Sequence, residues 1–231
     1  MALHNQYFYH SSTRKYTILI GNMFNSIYVV RYNADGTENK REKVPVAYGP
    51  KQKYLYRIEQ NPDLNEKSAI KLPRISFELI EMKYDPSRKT PSTNKLRNDT
   101  AVDGVKKYQY NPIPFEFIYD VGIMSKNTDE ALQMVEQIVP FFTPDYTVTI
   151  NAIPELNHKL DVPIVMNSIN MEDNWDTAFK ERRNIIWNLN LTLKGFIYAP
   201  TRDSKIILEA DWDISSFDGA GVYSRGIETK K

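Results

Sequence analysis

Cysteine is missing from all 231 residues, and with it go disulfides, thiolate metal sites and cysteine nucleophiles. Such a chain fits assembly in a reducing cytoplasm. Histidine is scarce: His4, His10 and His158 are the three imidazoles, and none has a second ligand at the i+4 spacing of a helical zinc site. No Gly-x-Ser-x-Gly elbow accompanies them, so serine-histidine-acid catalysis lacks its nucleophile turn. An excess of either charge is lacking too, thirty Lys and Arg against twenty-nine Asp and Glu giving a net charge of +1. No global field therefore draws the protein to nucleic acid or to an anionic membrane. Nowhere do eighteen apolar residues run together, and the N-terminus has no basic segment followed by an apolar stretch. Neither a membrane span nor secretion is expected.

What is present is an ordinary globular balance, 41% hydrophobic and 26% charged, with an emphasis on tyrosine. Fifteen Tyr, ten Phe and three Trp can fill a core, cover an interface or stack on single-stranded nucleic acid. Periodicity assigns the elements. Ser11 and Ser12 precede a helix whose Tyr16, Leu19, Ile20, Met23 and Phe24 recur on one face. A strand from Ile27 to Tyr32 leads into the turn Asn33-Ala34-Asp35-Gly36, and a hairpin to a strand at Val44 to Tyr48 is expected. Pro45 cannot donate to a ladder, so that second strand should be short or at an edge. A brief helix from Lys51 to Ile58 ends at Asn61-Pro62-Asp63. A half-buried strand covers Arg74 to Tyr84, with Ile75, Phe77 and Leu79 inward.

Residues 85–107, rich in Pro, Ser, Thr, Asn and charge, read as a long surface loop. A strand from Phe115 to Met124 follows, then Asn127 with Glu130 at capping-box spacing, and a helical stripe of Ala131, Met134, Val135 and Ile138 ended by Pro140 and Pro144. Strands are expected at Tyr146 to Ile150, Val162 to Met171 and Lys205 to Ile214, with a turn of helix near Thr177 to Arg183. Ile185, Trp187, Leu189, Leu191 and Leu193 alternate with polar residues in the clearest strand of all. The pattern is α+β: residues 1–214 form a single domain, a mostly antiparallel twisted sheet with two main helices packed against it, and 215–231 form a flexible C-terminal tail without an apolar period.

No group stands out as catalytic. Asp211 and Asp213 could present two carboxylates to a divalent ion, but two ligands without a phosphate-binding loop read better as a solvated strand face. Glu78, Glu81 and Glu116 are commonplace polar-face residues. Gly219 and Gly221 do not join a strand to a helix, so no nucleotide cradle is indicated. Lys106-Lys107 and Lys180 to Arg183 are small basic clusters whose stems can simply lie over apolar surface. No enzyme, metal or cofactor is expected. A binding module remains, using either protein partners or, with Tyr and Lys on a sheet face, single-stranded nucleic acid.

Several short segments carry a resemblance that covers the chain to about Pro200. They are Tyr7-Phe8-Tyr9 with Ser11-Ser12 and Arg14, Gly21, Val44-Pro45-Val46, Leu72-Pro73-Arg74-Ile75, and Gln109-Tyr110-Asn111-Pro112 with Pro114. Val135-Glu136-Gln137-Ile138 with Pro140 and Phe142, Arg182-Arg183, and Gly195 with Tyr198 and Pro200 complete the series. In this order they resemble the tail sheath stabilisers, or tail completion proteins, of T-even-type contractile-tailed phages. The resemblance implies a structural virion protein, a hexameric ring at the head-proximal end of the tail. It also implies partners in the sheath protein, the tube or tube-terminator protein and the neck, with no membrane and no specific nucleic-acid binding. Assembly would take place in the host cytoplasm. On this resemblance the interface residues are Tyr7, Phe8, Tyr9, Arg14, Arg74, Arg182 and Arg183.

Overall fold

A computed structural model describes residues 7–60, 72–97, 105–143, 145–156, 158–174, 184–205, 209–215 and 222–229. In chain order the elements are α1 (Ser12–Met23), β1 (Tyr28–Tyr32), β2 (Glu38–Lys43), β3 (Val46–Tyr48), α2 (Lys51–Gln60), β4 (Arg74–Tyr84), β5 (Lys95–Arg97) and β6 (Val105–Tyr110). Then come β7 (Ile113–Ser125), α3 (Thr128–Ile138), β8 (Asp145–Ile153), β9 (His158–Asn174), β10 (Asn184–Ile197), β11 (Arg202–Lys205), β12 (Glu209–Ser215) and β13 (Val222–Thr229). Six strands make the central sheet in the order β3-β4-β7-β10-β9-β8. Every ladder in it is antiparallel except the short β3–β4 pair. The α+β architecture read from the sequence is the one observed.

One face of this sheet takes both main helices. Tyr16 and Ile20 on α1 and Phe24 at its C-terminal cap, at i, i+4 and i+8, share a buried cluster with Met134, Val135 and Ile138 of α3. Ile75 and Phe77, the alternate residues Phe117, Tyr119, Val121 and Ile123, and Leu189, Leu191 and Leu193 form the floor of that cluster. The opposite face is polar along most of its length and is covered at one end by α2, where Tyr54 packs with Met124 and Ile186. Ser76 is consequently buried as well, so the first half of β4 is covered on both sides where half-burial was expected.

Two local expectations are corrected, and two further segments gain detail. The hairpin partner of β1 is β2, not the strand at Val46, and Gly36 supplies the turn with φ 76°. Nearly all of β2 is polar and solvent-exposed, so it has no apolar alternation to reveal it. The two helix caps also differ: neither Ser11 nor Asn127 makes a side-chain capping bond. Glu130 turns away to Arg31 Nε at 2.7 Å, while the Ser125 hydroxyl donates to the Asn127 carbonyl at 2.7 Å. Finally, 85–107 contains a short 3-10 turn and β5, with β6 beginning at its end, and β13 pairs with β12 beyond the last strand expected from sequence. Asp85 anchors that 3-10 turn. The Ser87 hydroxyl and the Arg88 guanidinium hold its carboxyl well below the usual carboxylate range. Residues 61–63 and 177–183, where a turn and a helical turn were expected, lie outside the described residues.

Candidate protein interface

The N-terminal aromatic segment is fastened at its base and open at its tip. His10 Nε2 lies 2.9 Å from the Ala199 carbonyl, and the Phe8 ring leans on the His10 ring with centroids 6.0 Å apart. Ser11 then takes a left-handed conformation, φ 57°, which turns the chain sharply into α1. Beyond these anchors Tyr7 is 88% exposed and Tyr9 63% exposed. Rings of this size bury about 150–250 Å² each when they find a partner, so leaving two of them in water is a substantial unused association energy.

The first turns of α1 are locked to the sheet beneath. Lys15 Nζ donates to the carbonyls of Ala152 at 2.8 Å and Asn151 at 3.3 Å, and burial lowers its pKa. Tyr16 lies across Gly195, where an added Cβ would stand 2.8 Å from the ring. Its hydroxyl donates to the Phe196 carbonyl at 2.9 Å and accepts from the Phe196 amide at 3.0 Å. The β9–β10 ladder ends at Leu193 and Ile164, so this hydroxyl serves as the missing strand partner. Arg14 is on the exposed side of the same turn.

At the other end of α1 lies an apolar groove of about 340 Å³. Met23, Phe24, Ile138, Phe141, Phe142 and Tyr146 supply its apolar walls. The last turn of α3 and the 3-10 turn forced by Pro140 set Phe141 at its lip, 65% exposed. From sequence this stretch shows only a helical stripe that stops at Pro140 and Pro144. The signal was two adjacent phenylalanines following a helix stop, of which one alone can turn inward.

The remaining sequence-predicted residues are not gathered here. Arg74 opens β4 at the far end of the β7 ladder, opposite Met124, half-buried with its guanidinium 5.0 Å from the Tyr54 ring centre. Arg182 and Arg183 lie outside the described residues, as do the side chains of Asp211 and Asp213 on β12. The Tyr and Lys surface considered for nucleic acid does exist on β6. There, however, Lys95 lies 4.7 Å from the Tyr108 ring and 5.4 Å from Tyr110, with Arg202 5.5 Å from Tyr110. A base would have to displace the chain's own cations to stack there.

The family model of the T4-like virus Myoviridae tail sheath stabiliser matches residues 7–223. The chain belongs to the tail sheath stabiliser family. It is also 30% identical over 233 aligned residues to the "Tail completion protein gp15" of Enterobacteria phage T4, covering 94% of this chain and 84% of that protein. The family match begins at Tyr7, so the exposed aromatic segment falls within the region shared with the tail sheath stabilisers. It runs on through the groove and into β13.

Proposed function

We propose that this protein is a structural part of a contractile phage tail, which caps the extended sheath and tube at the head-proximal end and gives the neck a surface to dock on. The observation that carries the reading is the family match over residues 7–223, which takes in the scaffold and the exposed aromatic segment alike. Copies close into a ring, a hexamer by family resemblance, whose faces meet the last sheath and tube rings. Tyr7, Phe8, Tyr9 and Arg14, with Arg74, Arg182 and Arg183, are the residues assigned to contacts. The chemistry required is binding alone. A ring that binds the extended sheath and not the contracted one stabilises the extended form by its differential affinity, without any bond being made or broken. No enzymatic step is part of this function.

The test is tail assembly with and without the protein, followed by electron microscopy. Tails that receive it should keep full-length extended sheaths, join heads and carry a terminal ring of six copies by native mass. Tails without it should shed or contract their sheaths. Sheath length and head joining that are indifferent to the protein would overturn the reading.

A further inference from the structure

We infer that the outward face of the small sheet β11-β6-β5 is a docking surface for an acidic, extended segment of a neighbouring tail protein. The inference rests on the reading above for the partner's place in the tail; the chemistry of the face stands by itself. The ladders set Lys95 opposite Tyr110, Arg97 and Arg202 on either side of Tyr108, and Lys106 two residues further along β6, so all six side chains share one face. The other face carries Leu96, packed against the cluster of Ala152, Ile153 and Tyr198, and the buried Gln109. It is therefore the cationic face that meets solvent. Lys95, Arg97 and Arg202 are exposed and Lys106 is half-buried, and among the described residues no ion pair joins any of the four to a carboxylate. Asp203, the one carboxylate among the described residues of these strands, sits opposite Lys107 on the other face.

Charge selects the occupant. The four cations stand within about 10 Å across two strand spacings and about 14 Å along β6, close to one screening length at 0.1 M salt, so they repel one another until an anion sits among them. Two of them are already held in place. Lys95 Nζ lies 4.7 Å from the Tyr108 ring and 5.4 Å from Tyr110, and the Arg202 guanidinium lies 5.5 Å from Tyr110. A cation drawn to a ring loses less side-chain freedom on docking, and its remaining N–H groups can still turn to a carboxylate, which a guanidinium grips with two parallel bonds. With the ring faces taken, nucleic acid would be held by about four phosphate contacts alone, an affinity that falls about a hundredfold between 50 and 200 mM salt. An acidic protein segment fits better. Extended, with a carboxylate at every second residue, it repeats at about 6.8 Å, the spacing from Lys95 to Arg97 along β5.

The test uses tails assembled with the parent protein and treated with a carbodiimide, which joins an amine to a carboxylate in direct contact. Mass spectrometry should find Lys95 or Lys106 bridged to an Asp or Glu of another tail protein. Bridges from these lysines only to Asp99, Asp103 or Asp203 of the same chain, or none although the protein is on the tails, would overturn the docking surface and leave the functional reading standing. Lys95→Glu with Arg202→Glu, both at exposed positions, should keep the thermal midpoint within a degree or two and lower incorporation into tails at least about tenfold. Should that pair disturb folding, Lys95→Gln with Arg202→Gln takes its place. Incorporation equal to the parent's would overturn the inference. Free parent protein should also be retained on immobilised polyglutamate at 0.1 M salt and the variant should not, while tighter retention on an oligothymidylate would overturn the choice of a protein partner. Failure of the parent to join tails would overturn the functional reading, and retention on polyglutamate would still decide the face.

Discussion

Gly195 and Gly21 show what single residues contribute here. A Cβ at Gly195 would meet Tyr16 ring atoms at 2.8 Å and Phe117 at 3.0 Å, and one at Gly21 would meet the Phe77 ring at 2.8 Å. Each glycine lets an aromatic ring lie flat where helix meets sheet. Gly195→Ala should therefore push Tyr16 off the Phe196 backbone groups and cost about 1–3 kcal/mol. Each kcal/mol lowers the melting temperature of a domain this size by about 2–4 °C, so calorimetry reads it directly. A melting temperature unchanged within a degree would show that the ring can shift freely. Both glycines were visible in the sequence as shared motif positions, but the reason for them was not, because no local pattern says which ring will cross which strand. Glu130 was misjudged for a related reason. Its spacing from Asn127 imitates a cap, whereas its buried carboxylate answers Arg31 from a strand ninety-nine residues earlier.

At the scale of elements, α3 does more than cover the core. Gln133 and Gln137, one turn apart, treat the edge of β1 as a neighbouring strand would. Gln133 accepts from the Val30 amide and donates to the Val30 carbonyl, both at 3.0 Å. Gln137 does the same for Tyr28, at 3.3 and 2.8 Å. The match is geometric: four helical residues rise about 6 Å and two strand residues about 6.8 Å, so an i,i+4 pair of amides meets an i,i+2 pair of backbone sites. Gln133→Leu should leave both Val30 groups without a partner and cost about 1–2 kcal/mol. By hydrogen exchange the Val30 amide should then open about fivefold faster while β7 and β10 are unaffected. Equal protection in the variant would show that β2 alone secures the hairpin. Elements whose faces differ in polarity, such as α1, α3, β7 and β10, were readable from sequence because burial imposes a period. β2, β5 and β13 were not. The first is mostly exposed and polar throughout, and the other two pair with a neighbouring strand in stretches whose sequence has no apolar alternation.

Across the whole molecule a net charge of +1 conceals a partition, with the first thirty-four residues free of acid and residues 127–157 free of base. Near-neutrality lets copies stack without mutual repulsion, and the partition gives them a direction. Composition alone shows the first property, but the second acquires meaning only once α1 is seen to place Arg14 at one end of the subunit and the groove at the other. A contact made by Tyr7, Tyr9 and Arg14 has two terms that respond differently to salt. Screening shortens from about 10 Å at 0.1 M to about 3 Å at 1 M, so the Arg14 contribution should fade over that range while the aromatic contribution persists. Arg14→Glu should weaken self-association at low salt by about three- to tenfold and flatten its salt dependence, without lowering the melting temperature. Tyr7→Ala should weaken it alike at both ends of that range, because ring burial is not screened. Sedimentation at 0.1 and 1 M salt measures all three proteins. An Arg14→Glu loss as large at 1 M as at 0.1 M would show that the guanidinium faces no charged partner in the contact.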